Sequence, residues 1–295
     1  MKKSLTLLAS IISLNLALPI LPSFSHTGSI MSVHAQNTID FEQGNRSDEE
    51  YVDYVLSQFN DLDAYITEST MNMGTTQTSS RTIVDNNTQG HFSEQFNADG
   101  VGIFTTYTYG DTMLVDEVEF YRSQEEMYLT LDPDFTEKLD ALDQATDGRF
   151  VSQTTVDAGI SNQLQSIDAF LQLPNPIEYK NENGNTVATT HLNSEQLTEL
   201  LGSNSTLVNE QSELTIEFTI NPQEQSVSQY TRLTIPQEET SEEDDSLGIS
   251  ISFPDLIEIQ SSFTPSNESV PALEEIDYLS QEEFEAIKTE VGFDL

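Results

Sequence analysis

The chain contains no cysteine and no tryptophan, and its ten lysines and arginines face 51 aspartates and glutamates across 295 residues. Without cysteine there can be no disulfide framework, no thioether lipid anchor and no thiol nucleophile, so a packed core must supply the stability. Without tryptophan the chain lacks the strongest aromatic sugar platform of exported polysaccharide hydrolases, and with 51 acids no pair of carboxylates stands out as a glycosidase couple. A formal charge of −41 excludes attraction to nucleic acid or to an anionic bilayer. Long apolar runs are scarce as well. The single one, Leu5 to Leu21, is interrupted at Pro19 and followed by Pro22, whereas a spanning helix needs roughly 20 apolar residues. No membrane span is expected.

What the amino terminus does contain is Lys2 and Lys3, that apolar run, and then Val33-His34-Ala35. A charged start, an apolar middle and a small-residue site have the pattern of a secretory signal peptide, cut after Ala35. The expectation is a protein secreted from a bacterial cell, loosely wall-associated at most, whose charge after cleavage is −43 because Lys2 and Lys3 leave and no acid does. The expected boundaries are a signal peptide at 1–35, a flexible linker at 36–46, a sheet-and-helix domain at 47–263, and a C-terminal segment with a short helix at 264–295.

The body reads as helix, then strands, then helices, then strands. Ser47 and Glu50 have capping-box spacing, and Val52, Val55, Leu56, Phe59, Leu62 and Ile66 make one helical stripe. From Ile66 the period changes to two. Met71 and Met73 alternate with polar neighbours, strands are expected at 81–86 and 91–96, and Asn97 to Gly100 makes a hairpin turn. Val101, Ile103, Tyr107 and Tyr109 share a strand face; Leu114, Val118 and Phe120 share another over 112–122; Met127, Leu129 and Leu131 follow a tight connection at Ser123. Helical spacing returns at 134–145 and 157–171, and Pro174 and Pro176 end that region. Strands resume around Asn183-Gly184, a strong hairpin signal. Asn193 and Gln196 cap a short helix. Leu214, Ile216, Phe218 and Ile220 alternate, Ser226–Ile235 runs back, 236–246 is an acidic loop, and Ile249, Ile251 and Phe253 precede a strand at 256–263. Ser280 and Glu283 form a second capping box. The fold class is therefore α+β, one antiparallel sheet with helices packed on one side.

Chemistry is thinly represented. After Ala35 the only histidines are His91 and His191, no Gly-x-Ser-x-Gly or His-Glu-x-x-His occurs, and Asp140, Asp143 and Asp147 before Gly148 lack calcium-loop spacing. No catalytic residue, metal ligand or cofactor site is assigned, and the protein is read as non-enzymatic.

The opening helix running into the first strand, Tyr51 to Phe59 and Tyr65 to Met73, and the segment Glu119 to Leu129 resemble the LolA and LppX/LprG half-barrel carriers and their lipoprotein-like relatives in monoderm bacteria. The resemblance covers most of 47–263 as an order of elements. It implies a curved sheet around an apolar cavity with helices as a lid, and a lipid or acyl-chain ligand. This chain departs from the monoderm members in lacking the lipobox cysteine. The residues expected to line a cavity are Met71, Met73, Tyr107, Tyr109, Phe120 and Phe218. The alternative is a secreted interaction protein with a filled core, no small-molecule ligand and a cell-envelope protein as partner.

Overall fold

The computed structural model describes residues 38–110, 112–154, 176–201, 209–236 and 255–293. The expected signal peptide, the helix at 157–171 and the strand carrying Ile249, Ile251 and Phe253 lie outside the described residues.

The first helix, α1 (Asp48–Ser57), starts where the capping box puts it. Ser47 Oγ accepts from the Glu50 amide at 3.3 Å, and the Glu50 carboxylate accepts from the Ser47 amide at 2.9 Å. Tyr51, Val52, Val55 and Leu56 are buried. The stripe does not continue to Ile66 as a helix. A 3-10 turn at Gln58–Asp61 turns Phe59 inward, and strand β1 (Ala64–Met73) has begun by Ile66. The preceding segment, expected as a linker, makes contacts with α1 from Asp40 onward. Tyr54 donates to Asp40 at 2.7 Å, Tyr51 to the Phe41 carbonyl at 2.9 Å and Gln58 to the Asp40 carbonyl at 3.1 Å, while the Arg46 guanidinium sits 3.6 Å above the Tyr54 ring. These bonds hold it along α1, and the Tyr54 hydroxyl keeps the Asp40 carboxyl below its usual range.

From β1 the chain meanders through β2 (Thr76–Asp85), β3 (Gly90–Asn97), β4 (Gly102–Tyr109) and β5 (Thr112–Val115). The strands expected over 112–122 and 127–131 are a four-residue strand followed by two helices. The strand stops at Val115, because the Asp116 carboxylate accepts the Glu119 amide at 2.9 Å and caps α2 (Glu117–Ser123), with Glu117 and Glu119 in the first turn favoured by the helix dipole. The short α3 (Glu125–Leu129) follows, so Glu119 to Leu129 is helical rather than strand–turn–strand. The helix α4 (Phe135–Thr146) leads to β6 (Phe150–Thr154).

The second meander comprises β7 (Glu178–Glu182), β8 (Asn185–Leu192), α5 (Ser194–Leu201), β9 (Glu213–Asn221), β10 (Ser226–Thr234) and β11 (Leu256–Ser266). Asn183 and Gly184 both take positive φ, 55° and 88°, the left-handed pair that a tight hairpin requires. Asn193 and Gln196 exchange side chain-to-amide bonds at 3.0 Å at the start of α5. The strand β11 runs past the expected boundary at 263. The chain then adds β12 (Tyr278–Leu279) and α6 (Gln281–Val291), so the C-terminal segment is part of the same fold.

The twelve strands among the described residues form one sheet, in the order β12-β6-β5-β4-β3-β2-β1-β11-β10-β9-β8-β7. Every pairing between them is antiparallel except β12 with β6. The two meanders meet where β1 pairs with β11, Met71 opposite Ile259. Apolar residues collect in two separate clusters. One joins α1 and Phe59 to β1, β8, β9, β10 and β11; the other joins α2, α3, α4 and α6 to β6 and β12 through Phe135, Leu139, Phe284 and Phe293.

Residues 267–277 pass from β11 to β12 across the ends of β2, β3 and β4. Asp85 accepts the Val270 amide at 2.9 Å, Tyr109 donates to the Pro271 carbonyl, and Glu268 pairs with Arg81. Gly90 permits the close approach: a Cβ there would lie 2.5 Å from the Tyr109 ring and 3.1 Å from Val270.

Glu117, at the start of α2, accepts a hydrogen bond from Gln153. Burial pushes its carboxyl above the usual glutamate range, opposed by the Gln153 bond and the nearby Lys288 ammonium. A carboxyl raised in the folded state stabilises fully below its unfolded pKa, and that contribution is lost as pH rises through the folded value. Glu117→Gln removes the buried charge. It is expected to raise stability at pH 7 by about 1 kcal/mol, roughly 2–4 °C in Tm, and to leave stability unchanged near pH 4. Thermal melts at the two pH values check this; an equal gain at both would contradict it.

Candidate functional site

One face of the sheet is buried from β6 across to β8, and its composition changes along the way. A single cross-strand row shows the change. It begins at Val151 and Val115, continues through Thr106, Ser93, Thr82 and Thr67, and becomes apolar again at Phe263, Val227 and Ile220. Every one of these side chains is at most 5% exposed. A band of neutral hydroxyls therefore lies between two apolar regions in the interior of the molecule.

The band is partly knitted together. Ser69 and Ser261 share a hydrogen bond of 2.8 Å between β1 and β11, Thr82 donates to Ser93 at 3.2 Å, and the Gln229 amide donates to Thr231 at 2.8 Å. His91 and Gln95 of β3 lie on the same face and are buried. Four buried hydroxyls among the described residues have no hydrogen-bond partner, those of Thr67, Thr88, Thr189 and Thr190; of these Thr67, 2% exposed, lies in the band, and Thr190 faces the same side further along, on β8. A buried, unsatisfied hydroxyl costs about 1–3 kcal/mol, which valine of the same shape would not incur at Thr67.

The six residues expected to line a cavity divide between the faces. Met71 and Phe218 are buried on the inner face in the first apolar cluster, with Met73 half-buried against it. Phe120, carried by α2, packs on Phe104 of that same face with ring centroids 6.0 Å apart. Tyr107 and Tyr109 alternate with the buried Phe104, Thr106 and Thr108, so they lie on the opposite face. There Tyr107 packs against Phe92 and Phe150 at 4.9 and 5.1 Å, and Tyr109 reaches Pro271. Burial raises the pKa of both phenols. Met71, Met73 and Phe218 are thus brought together, Phe120 lies toward the second cluster, and the two tyrosines are elsewhere. Sequence reasoning missed the hydroxyl band, although Thr67, Ser69, Thr82, Ser93, Gln95 and Thr106 carry its signal by sharing the parity of buried apolar neighbours.

The candidate chemical residues are likewise apart. His91 is on β3, and His191, 3.0 Å from the Thr215 hydroxyl, is on β8, far along the sheet. Asp140 and Asp143 accept from the Arg122 guanidinium at 3.1 and 3.0 Å. Among the described residues no group of three His, Cys, Asp or Glu is placed to hold a metal ion, and no helix is long and apolar enough to cross a membrane.

No protein-family model and no curated protein matches the chain. Among solved structures it is similar to an uncharacterized conserved protein from Thermus thermophilus, with a TM-score of 0.37 and 7% identity, covering 77% of this chain and 95% of that one.

Proposed function

We propose that this protein is a non-enzymatic, exported binding protein that holds an amphiphilic lipid or acyl chain against the helix-covered face of its sheet, as a half-barrel carrier of the LolA and LppX/LprG type would. The observation that carries this reading is the buried hydroxyl band flanked by apolar clusters, in which Thr67 lacks a hydrogen-bond partner. Ligand sites combine mainly apolar walls with a few convergent polar groups. Met71, Met73 and Phe218 supply apolar wall for a chain, and the threonines supply donors for a neutral oxygen. Export is supported by Lys2, Lys3 and the apolar run before Ala35, and the absence of catalysis by the wide separation of His91 and His191.

Thr67→Val tests the role of the band. Valine keeps the shape and removes the unpartnered hydroxyl, so the ligand-free protein is expected to gain about 1 kcal/mol while retention of co-purifying lipid falls. Urea melts of delipidated protein and lipid extraction of the purified variant measure the two effects. A valine variant that is less stable and keeps its lipid would count against the reading.

A further inference from the structure

The opposite face of the sheet carries a second feature that a lipid carrier does not need. An open trough of about 750 Å³ crosses its centre, spanning strands β9, β10, β11, β1, β2 and β3. We propose that this trough binds a linear, uncharged glycan laid across the strands.

The strand register defines the trough. Tyr230 stands opposite Gln260, Gln260 opposite Thr70, Thr70 opposite Ser79, and Ser79 opposite Phe96. Two aromatic rings therefore bracket an amide and two hydroxyls in one cross-strand row, which continues past Tyr230 to Glu217. They are four strand steps apart, roughly 19 Å at the usual inter-strand spacing. The Tyr230 hydroxyl donates to Glu258, which fixes one ring. Phe96 sits at a bulge in the β3–β4 pairing and faces Gly102, a residue without a side chain to cover it. The neighbouring row continues the small floor with Ser228 and Ser262 and ends at Glu68 opposite Arg81.

This composition suits sugar. The C–H faces of a pyranose carry partial positive charge and stack on the negative face of an aromatic ring. Its hydroxyls pair with amides, carboxylates and short hydroxyls. The other occupants fit less well. A net charge of −41 repels anionic polymers and a second copy of this chain. Arg81 pairs with Glu268, lies 4.0 Å from Glu94 and faces Glu68, so it offsets part of the acidic charge at that end of the floor, while Glu217 stands opposite Tyr230 at the other. A lysine-rich peptide would meet carboxylates only at the ends of the trough, Glu68 and Glu217, and hydroxyls and amides between them.

Calorimetric titration of the full protein with cellohexaose, chitohexaose and a lysine decapeptide tests the proposal. Saturable binding of at least one hexasaccharide is expected, with an affinity unchanged between low and high salt because the ligand is uncharged. Phe96→Ala and Tyr230→Ala should each weaken it tenfold or more, whereas Tyr230→Phe, which keeps the ring, should stay within threefold. Ser79→Arg, which fills the floor beside Phe96, should abolish it. No heat with either hexasaccharide at millimolar concentration, binding that survives Ser79→Arg, or salt-sensitive binding of the lysine peptide alone would overturn the proposal. The outcome is independent of the lipid reading, which concerns the other face.

Discussion

Replacing Asp85 by alanine is expected to destabilise the protein by about 3 kcal/mol or more, because one buried carboxylate satisfies three backbone amides. Its Oδ1 accepts from Asn87 at 2.9 Å and Thr88 at 3.2 Å, and its Oδ2 accepts from Val270 at 2.9 Å. Asp85 is 3% exposed, so water cannot take over these bonds. The residue does two jobs at once. It closes the β2–β3 connection and pins residues 267–277, which carry the chain on to β12 and α6. The loss should therefore be seen in two ways. Urea titration should give the drop in overall stability, and hydrogen exchange should show the Val270 amide losing protection along with the β2–β3 turn. A drop below about 1 kcal/mol, with Val270 still protected, would mean that the 267–277 segment is held by its other contacts.

Two core truncations should have similarly large and independent effects. Phe135 is fully buried in the second cluster, stacked 4.8 Å from Tyr128 and 5.5 Å from Phe293. Phe218 is fully buried in the first cluster, 5.9 Å from Phe263. Each change to alanine is expected to cost about 3–5 kcal/mol through lost transfer energy and a residual cavity. The clusters share no residue and are separated by the hydroxyl band, so the double variant should equal the sum of the single ones within about 0.5 kcal/mol. Urea melts of the three variants measure this. A large deviation from additivity would show that the two ends of the sheet pack as one core. Phe218→Ala should also lower lipid retention, because Phe218 belongs to the proposed apolar wall, while Phe135→Ala should affect stability alone.

Local signals in the sequence specified much of this architecture. Both capping boxes, the Asn183-Gly184 hairpin and the faultless alternation of β9 were legible, because each depends on residues close in sequence, and the α+β class with a mostly antiparallel sheet followed from the order of such elements. The segment after Val115 was not. Leu114, Val118 and Phe120 fit a strand face by parity, but Asp116 caps a helix at that point, and a cap outweighs a three-residue alternation. The assignment of faces failed in β4 for a different reason. Tyr107 and Tyr109 are the largest side chains of that strand, yet they belong to the face that residues 267–277 cross, while Thr106 and Thr108 point to the helix side. Which face of a two-sided strand turns toward the helices is decided by chain more than 150 residues away, as the Tyr109–Pro271 bond spans 162 positions, and no local pattern records that. For the same reason the candidate lining divided: Met71, Met73 and Phe218 follow the inner parity, and the tyrosines do not.

The central claim is that the buried face of the sheet holds a lipid or acyl chain. Native mass spectrometry of the protein, secreted by its own host and purified without detergent, tests it most directly. The account predicts a discrete added mass that solvent extraction releases as lipid, and that is reduced in Thr67→Val. A clean ligand-free mass that takes up neither added fatty acid nor phospholipid would contradict it.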